Sequence, residues 1–180
     1  MCGICGFIKF KNGTSPADGQ VIERMNRKLF HRGPDQQDTV LFSNVAFGFS
    51  RLSIIGLDNG MQPICNEDGS IVVICNGEIF NYIELRKALQ QRGHSFSTST
   101  DVEVLVHLYE EKGIYFLNDL NGQFAFALYD LNRRQLYCVR DQMGILPFFY
   151  TQVDDVFVFG SEIKALLEYP GVTREVDLVG

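Results

Sequence analysis

Short apolar stretches separated by polar turns run through most of this chain and predict many strands and few helices. Cys5–Phe10 is apolar and β-prone, which places a strand close to the start. Thr39–Phe42 and Val45–Arg51 read as two strands joined through Ser43 and Asn44. Ile71–Cys75 is apolar at every position, so both faces of that strand need cover. In Gly122–Tyr129, Phe124, Phe126 and Leu128 alternate with Ala125, Ala127 and Tyr129, which again leaves no polar face. Gln135–Arg140, Pro147–Thr151 and Val156–Phe159 supply further strands.

Helical signals fall between these runs. Ser15-Pro16-Ala17-Asp18 combines a Ser cap with Pro in the first turn, and Val21, Met25 and Leu29 then recur every four residues to about Phe30. His31-Arg32-Gly33-Pro34-Asp35 breaks that helix. Asn81-Tyr82-Ile83-Glu84 and Thr100-Asp101-Val102-Glu103 both have capping-box spacing. The first opens a helix that ends near Gly93. The second precedes a helix that buries Val102, Leu105, Val106 and Tyr109 on one face. Glu162–Glu168 is a short closing helix. Helices segregated from runs of strands predict an α+β fold, with sheets packed on one another and helices outside. Neither an internal repeat nor an interdomain linker interrupts the pattern.

Composition narrows the class. At 180 residues the chain suits one domain with a sizeable core, and 46% hydrophobic with 21% charged residues excludes disorder. A net charge of -6 without a Lys/Arg cluster argues against nucleic-acid binding. No apolar run reaches membrane-spanning length, and the start lacks the basic and apolar regions of a secretory signal. Five cysteines at irregular spacing do not form a disulfide framework, so a reducing cytoplasm is expected.

Candidate chemistry begins at Cys2, directly after Met1. Aminopeptidase removal of Met1, which favours a small second residue, would leave Cys2 with a thiol and a free α-amine. Reference pKa values of roughly 8.5 and about 7.7–8.0 suit proton exchange between them. Position alone favours a small residue that is merely tolerated there. Cys2 and Cys5 also make a C-x-x-C pair. No strand can precede it as a redox motif requires, and Cys65, Cys75 and Cys138 are scattered singly, as are His31, His94 and His107, so no zinc set emerges. Cys5 reads as a small buried hydrophobe, and His31 as a brace beside a Gly-Pro break. Asn76-Gly77 follows the buried strand: the dipeptide by itself predicts a tight turn. Its other use is as an oxyanion hole, the Asn76 amide and the Gly77 N–H being the donors, with glycine letting backbone approach a substrate. Arg51, at a strand end, is either a surface charge or a bidentate carboxylate fork. Asp101, in the first turn of a helix, is explained by the helix dipole and would also suit an ammonium. No phosphate loop, dinucleotide fingerprint or pyrophosphatase loop is present.

In order along the chain, these motifs resemble the glutaminase domain of class II glutamine amidotransferases, most closely that of glutamine-hydrolysing asparagine synthetases. The resemblance runs through Met1-Cys2-Gly3-Ile4-Cys5-Gly6, His31-Arg32-Gly33-Pro34-Asp35, Arg51-Leu52-Ser53-Ile54 and Gln62-Pro63. It continues through Asn76-Gly77-Glu78-Ile79-Phe80-Asn81, Thr100-Asp101-Val102-Glu103 and Phe124-Ala125-Phe126-Ala127, then Arg140-Asp141, Gly144, Pro147 and Ser161-Glu162-Ile163-Lys164-Ala165-Leu166. Gln142 and Leu146 depart from residues often seen in that stretch. The resemblance implies an N-terminal-nucleophile hydrolase fold, a four-layer αββα sandwich, over residues 1–180. It further implies Cys2 as nucleophile with its own α-amine as base, and Asn76 and Gly77 as oxyanion hole. Arg51 would hold the glutamine α-carboxylate, and Glu78 and Asp101 its α-ammonium. Backbone around Leu52, Ser53, Ile54 and Ile55 would line the pocket. No metal or cofactor is implied for this domain; ATP and Mg belong to a synthetase domain, in cis or in trans, that would receive the ammonia. That domain is missing from a chain that stops at Asp177-Leu178-Val179-Gly180, so an isolated domain or truncated homologue is expected, with the last strands of the domain clipped; the oligomeric state, a homodimer included, is left open. Two rivals stand beside this reading: an acylase with an N-terminal cysteine but no glutamine specificity, and a glutamine-binding regulatory module without turnover.

Overall fold

A computed structural model describes residues 1–56 and 59–175; the expectation concerning Asp177–Gly180 lies outside them. Nine strands form two antiparallel sheets among these residues. The first has the order β2 (Gln36–Phe42), β3 (Val45–Arg51), β1 (Gly3–Lys9), β9 (Val156–Gly160), β8 (Phe149–Val153). The second has the order β4 (Ile64–Cys65), β5 (Ile71–Ile79), β6 (Gly122–Asp130), β7 (Gln135–Arg140). Helices α1 (Pro16–Arg27) and α4 (Ile163–Leu166) pack with the first sheet, while α2 (Tyr82–Gln91) and α3 (Val104–Lys112) belong to the side of the second.

Strand alternation creates three apolar layers, because successive side chains point to opposite faces. Ile4, Ile8, Phe47 and Phe49 of the first sheet meet Val72, Ile74, Ala127 and Tyr129 of the second. Their neighbours Cys5, Phe7 and Ala46 turn the other way, onto Val21, Ile22, Met25 and Leu29 near α1. On the far side Val73, Cys75, Phe126 and Leu128 pack under Leu89, Leu105 and Leu108. The expected αββα sandwich is therefore present, and the apolar two-sided strands β5 and β6 are the central strands of one of its two inner layers.

Local expectations were met unevenly. The first helix is closed by its box, as Ser15 N–H and Oγ–H both donate to Asp18 Oδ2 (2.6 and 2.8 Å). It ends at Arg27 rather than Phe30, where a single 3₁₀ turn (Phe30–Arg32) takes over. The other two boxes do not form. Asn81 instead accepts from Asn121 N–H (3.0 Å) and donates to Asp119 C=O (2.8 Å), tying α2 to the loop before β6. Glu103 accepts from Ser97 and Thr98 N–H (2.6 and 2.8 Å), so it organises the preceding loop. Helix α3 is buried from Val104 through Tyr109, more completely than a one-faced helix would be.

Candidate functional site

Strand β1 lies between β3 and β9, and its first residue, Gly3, pairs with Ser50. Cys2 therefore projects from the end of a central strand beside Arg51, the last residue of β3. Its thiol rests on the next residue of that chain segment, donating to Leu52 C=O (3.5 Å) and accepting from Leu52 N–H (3.4 Å). The Cys2 carbonyl accepts from Arg32 Nε (2.9 Å), and Arg32 Nη1 bonds Glu162 Oε1 (3.1 Å). Glu162 also meets His31 (2.8 Å) and Lys164 (3.0 Å). His31 thus braces the chain, as its sequence context suggested, and the brace reaches Cys2 through Arg32. Gly33 permits this: a Cβ there would lie 2.2 Å from Ser50 O.

Asn76 and Gly77 are not in a turn. Strand β5 continues through them to Ile79, with Asn76 opposite Ala125 and Gly77 opposite Phe124. A nine-residue ladder with β6 overrides the local preference of Asn-Gly. Gly77 has φ +148°, and a Cβ would sit 2.2 Å from Gln123 O, so glycine is required first by the approach of β6 rather than of a ligand. Two positions before Gly77, Gln62 takes the place of a strand partner: its Oε1 accepts from Cys75 N–H (2.6 Å) and its Nε2 donates to Cys75 C=O (3.1 Å). By the two-residue alternation of a strand, Gly77 presents its N–H on that same side, beyond the end of the short β4. Beside it, the amide nitrogen of Asn76 is buried with no hydrogen-bond partner. A buried donor left unpaired costs about 1–3 kcal/mol and calls for an explanation.

These groups converge on a cleft of about 110 Å³ at one end of the seam between the sheets. Cys2, Arg51, Leu52, Ile54, Ile55, Asn76, Gly77, Glu78 and Asp101 all line it. Ser53 is the predicted residue that does not; its N–H is turned to Asp35 Oδ2 (2.8 Å), which holds the loop after β3. Arg51 is buried, donating to Gln36 Oε1 (3.0 Å), Ile55 C=O (3.3 Å) and Gly56 C=O. Asp101 precedes α3 by three residues instead of lying in its first turn, so the helix dipole is not what holds it. Its Oδ2 accepts from Ile79 N–H (2.8 Å), which links it to the end of β5. The lining residues that sequence reasoning did not assign include Gln62, Thr100, Gln123 and Leu146. Leu146 is brought there by Asp141, which accepts from the N–H groups of Met143 (3.0 Å) and Ile145 (3.2 Å).

Electrostatics inside the cleft favour neutral forms. Burial pushes the Cys2 thiol up, while Leu52 N–H, the chain's amino terminus, Arg51 and Arg32 pull it the other way. A base is needed to generate the thiolate near neutrality. Met1 precedes Cys2 at the cleft, its peptide bond occupying the Cys2 nitrogen. Burial raises the Asp101 carboxyl, and the charge of Glu78 adds to it against the Ile79 N–H. Among the described residues neither carboxylate enters an ion pair, so the pair would gain from a cation between them. Cys5 lies on the opposite, helix-covered face of the sheet, and burial holds its thiol far above the usual range. All five cysteines are free. A larger groove of about 610 Å³, lined by Lys9, Asn44, Arg134 and Cys138, sits at the other end of β1 and contains none of the predicted site residues.

A family model described as a glutamine amidotransferase domain matches residues 1–180. Asparagine synthetase [glutamine-hydrolyzing] 2 of Bacillus subtilis is 46% identical over 97% of this chain and 23% of its own length. Asparagine synthetase [glutamine-hydrolyzing] 3 of the same organism is 42% identical over 100% of this chain and 30% of its own. The chain thus spans about a quarter to a third of these relatives. Among solved structures, the glutamine phosphoribosylpyrophosphate amidotransferase of B. subtilis superposes with a TM-score of 0.75 at 24% identity, over 92% of this chain and 43% of that one. At that identity the match shows the shared fold. Among the described residues no helix is long and apolar enough to cross a membrane.

Proposed function

Because the chain belongs to the glutamine amidotransferase domain family, we propose that it hydrolyses L-glutamine to glutamate and ammonia through a thioester on Cys2. The observation that carries this reading is the buried, partnerless amide of Asn76 in the same cleft as the Cys2 thiol. A donor with nothing to bind in the resting protein is suited to a charge that appears only in the transition state.

Removal of Met1 frees the α-amine of Cys2. That amine takes the thiol proton, and the thiolate attacks the side-chain amide carbon of glutamine. The oxyanion is bound by Asn76 Nδ2–H and Gly77 N–H. The resulting ammonium returns its proton to the departing nitrogen, which leaves as ammonia. Water, deprotonated by the same amine, then attacks the γ-glutamyl thioester and releases glutamate with the thiol restored. Arg51 faces the substrate α-carboxylate, whereas Glu78 and Asp101 face the α-ammonium. Backbone at Leu52, Ile54 and Ile55 forms the wall of the pocket, with Ser53 holding it from outside.

The ammonia passes to an ATP-dependent synthetase domain, in cis or in trans, that makes asparagine from aspartate. This part of the reading rests on the names of the relatives, which are three to four times longer than the match. A reducing cytoplasm is the compartment that suits five free cysteines. Glutamate release from glutamine and from a simple acyl amide, measured on chain whose mass shows Met1 removed, tests the proposal. Turnover confined to glutamine and abolished by Cys2→Ala supports it; equal turnover of both amides would indicate an acylase.

A further inference from the structure

We propose that Glu67, His94, His107 and Glu110 form a binding site for one first-row divalent cation of the zinc type, on the helical layer outside the second sheet. One ligand atom from each can be chosen so that all lie within 4.8 Å of one another. The shorter separations are more telling. His107 Nδ1 lies 3.1 Å from Glu110 Oε2 and 3.4 Å from Glu67 Oε2, and His94 Nδ1 lies 3.5 Å from Glu110 Oε2. A tetrahedral ion with bonds of about 2.0–2.1 Å separates its ligand atoms by roughly 3.3–3.4 Å. Three of the separations are therefore close to the spacing that such an ion imposes, while His94 Nδ1 approaches Glu67 at Oε1, 3.9 Å away, and would have to draw in on binding.

What surrounds the four is arranged in the same sense. Each histidine turns Nδ1 to the centre and Nε2 to an outer carboxylate. His94 Nε2 is 3.3 Å from Glu111 Oε1, and His107 Nε2 is 3.9 Å from Glu103 Oε1. At 3.3 Å the Glu111 carboxylate can hold the His94 tautomer that leaves Nδ1 free to bind metal, whereas Glu103 is beyond hydrogen-bond reach of His107 Nε2. The carboxylate ligands are oriented as well. Glu67 Oε1 accepts from Ser95 N–H (3.0 Å) and Glu110 Oε1 from the Asn66 amide (2.9 Å), leaving the Oε2 atoms for the centre. His107 is buried to 1% exposure with Nε2 lacking a hydrogen-bond partner, whereas Glu67 is 43% exposed and gives an ion a way in. Two neutral imidazoles and two carboxylates carry a charge that a dication balances. With all four positions taken by protein, the site is structural.

The ligands come from the turn before β5, the loop after α2, and α3 itself. A bound ion would fasten that loop at His94, and the loop's far end delivers Thr100 and Asp101 to the Cys2 cleft. No ligand-spaced histidine pair announces this in the sequence, because the fold brings together His94 and His107 from different elements.

The test uses the full chain carrying Cys2→Ala, so that the reactive thiol is absent and glutaminase activity plays no part. After chelator treatment, Zn²⁺ is titrated by calorimetry and Co²⁺ by visible absorption. The expected result is one equivalent bound, intense tetrahedral Co²⁺ bands, and a Tm that rises with Zn²⁺. His94→Ala, and independently the exposed Glu67→Gln, should each weaken binding by at least about tenfold. Absence of saturable one-equivalent binding would overturn the proposal. So would binding of the same strength in both variants, which would place the ion on the remaining cysteines.

Discussion

Gln62 and Cys75 are joined like neighbours in a sheet, although only one of them contributes backbone. The Gln62 amide accepts from Cys75 N–H at 2.6 Å and donates to Cys75 C=O at 3.1 Å. It thereby extends the edge partner of β5 past the two residues of β4 and fixes the strand just before Asn76 and Gly77. Gln62→Leu should leave two buried backbone groups unpaired, at about 1–3 kcal/mol each. Urea unfolding should show that loss, and kcat should fall with Asn76 still in place. Unchanged stability would mean that the clamp is dispensable.

Asn76→Ala separates catalysis from stability. The Asn76 amide nitrogen has no partner to lose, so Tm should hardly move, while kcat for glutamine should drop on the order of 10²–10³. A large loss of Tm with near-normal kcat would assign the residue to structure.

Gly77→Ala should act on the fold before it acts on the site. Its Cβ would meet Gln123 O at 2.2 Å, from a backbone φ of +148° that an L side chain rarely adopts. Strain of this kind costs on the order of 1–3 kcal/mol, with the clash in addition. Circular dichroism on heating should show a lowered Tm, and wild-type melting would contradict the register of β5 on β6.

Glu162 gives the support of Cys2 a pH dependence. Burial alone would raise its carboxyl, but Lys164, His31 and Arg32 hold it down at about 2. With the folded value depressed, the stabilisation is complete above the ordinary Glu value of 4.5 and is lost as pH falls through about 2. The residue is partly exposed, so the effect is about 0–1 kcal/mol. Glu162→Gln should be slightly less stable than wild type at neutral pH, the difference shrinking across that acid window. A difference that grows in acid would reverse the assignment.

The layers and most strands were legible because alternation is a local property: β6 and β7 follow directly from which faces are apolar. The turn expected at Asn76-Gly77 failed because pairing with β6 is non-local and outweighs a dipeptide preference. Asp101 lined the cleft as the family motif implied, yet for a different reason, a bond to Ile79 N–H instead of a helix dipole. The Gln62 clamp could be noticed in Gln62-Pro63 but not understood, since nothing local shows that its partner is Cys75. The spacings at Asn81 and Thr100 do not yield capping boxes, because Asn81 and Glu103 bond to neighbouring loops instead.

The central claim is that Cys2, freed of Met1, forms a covalent γ-glutamyl intermediate. Acid quenching of the reaction with glutamine, followed by intact-mass and peptide analysis, measures it directly. The account predicts a γ-glutamyl adduct on Cys2 in chain lacking Met1, and none in chain that retains it or carries Cys2→Ala. Glutamine turnover that persists in Cys2→Ala, with no adduct on Cys2, would contradict it.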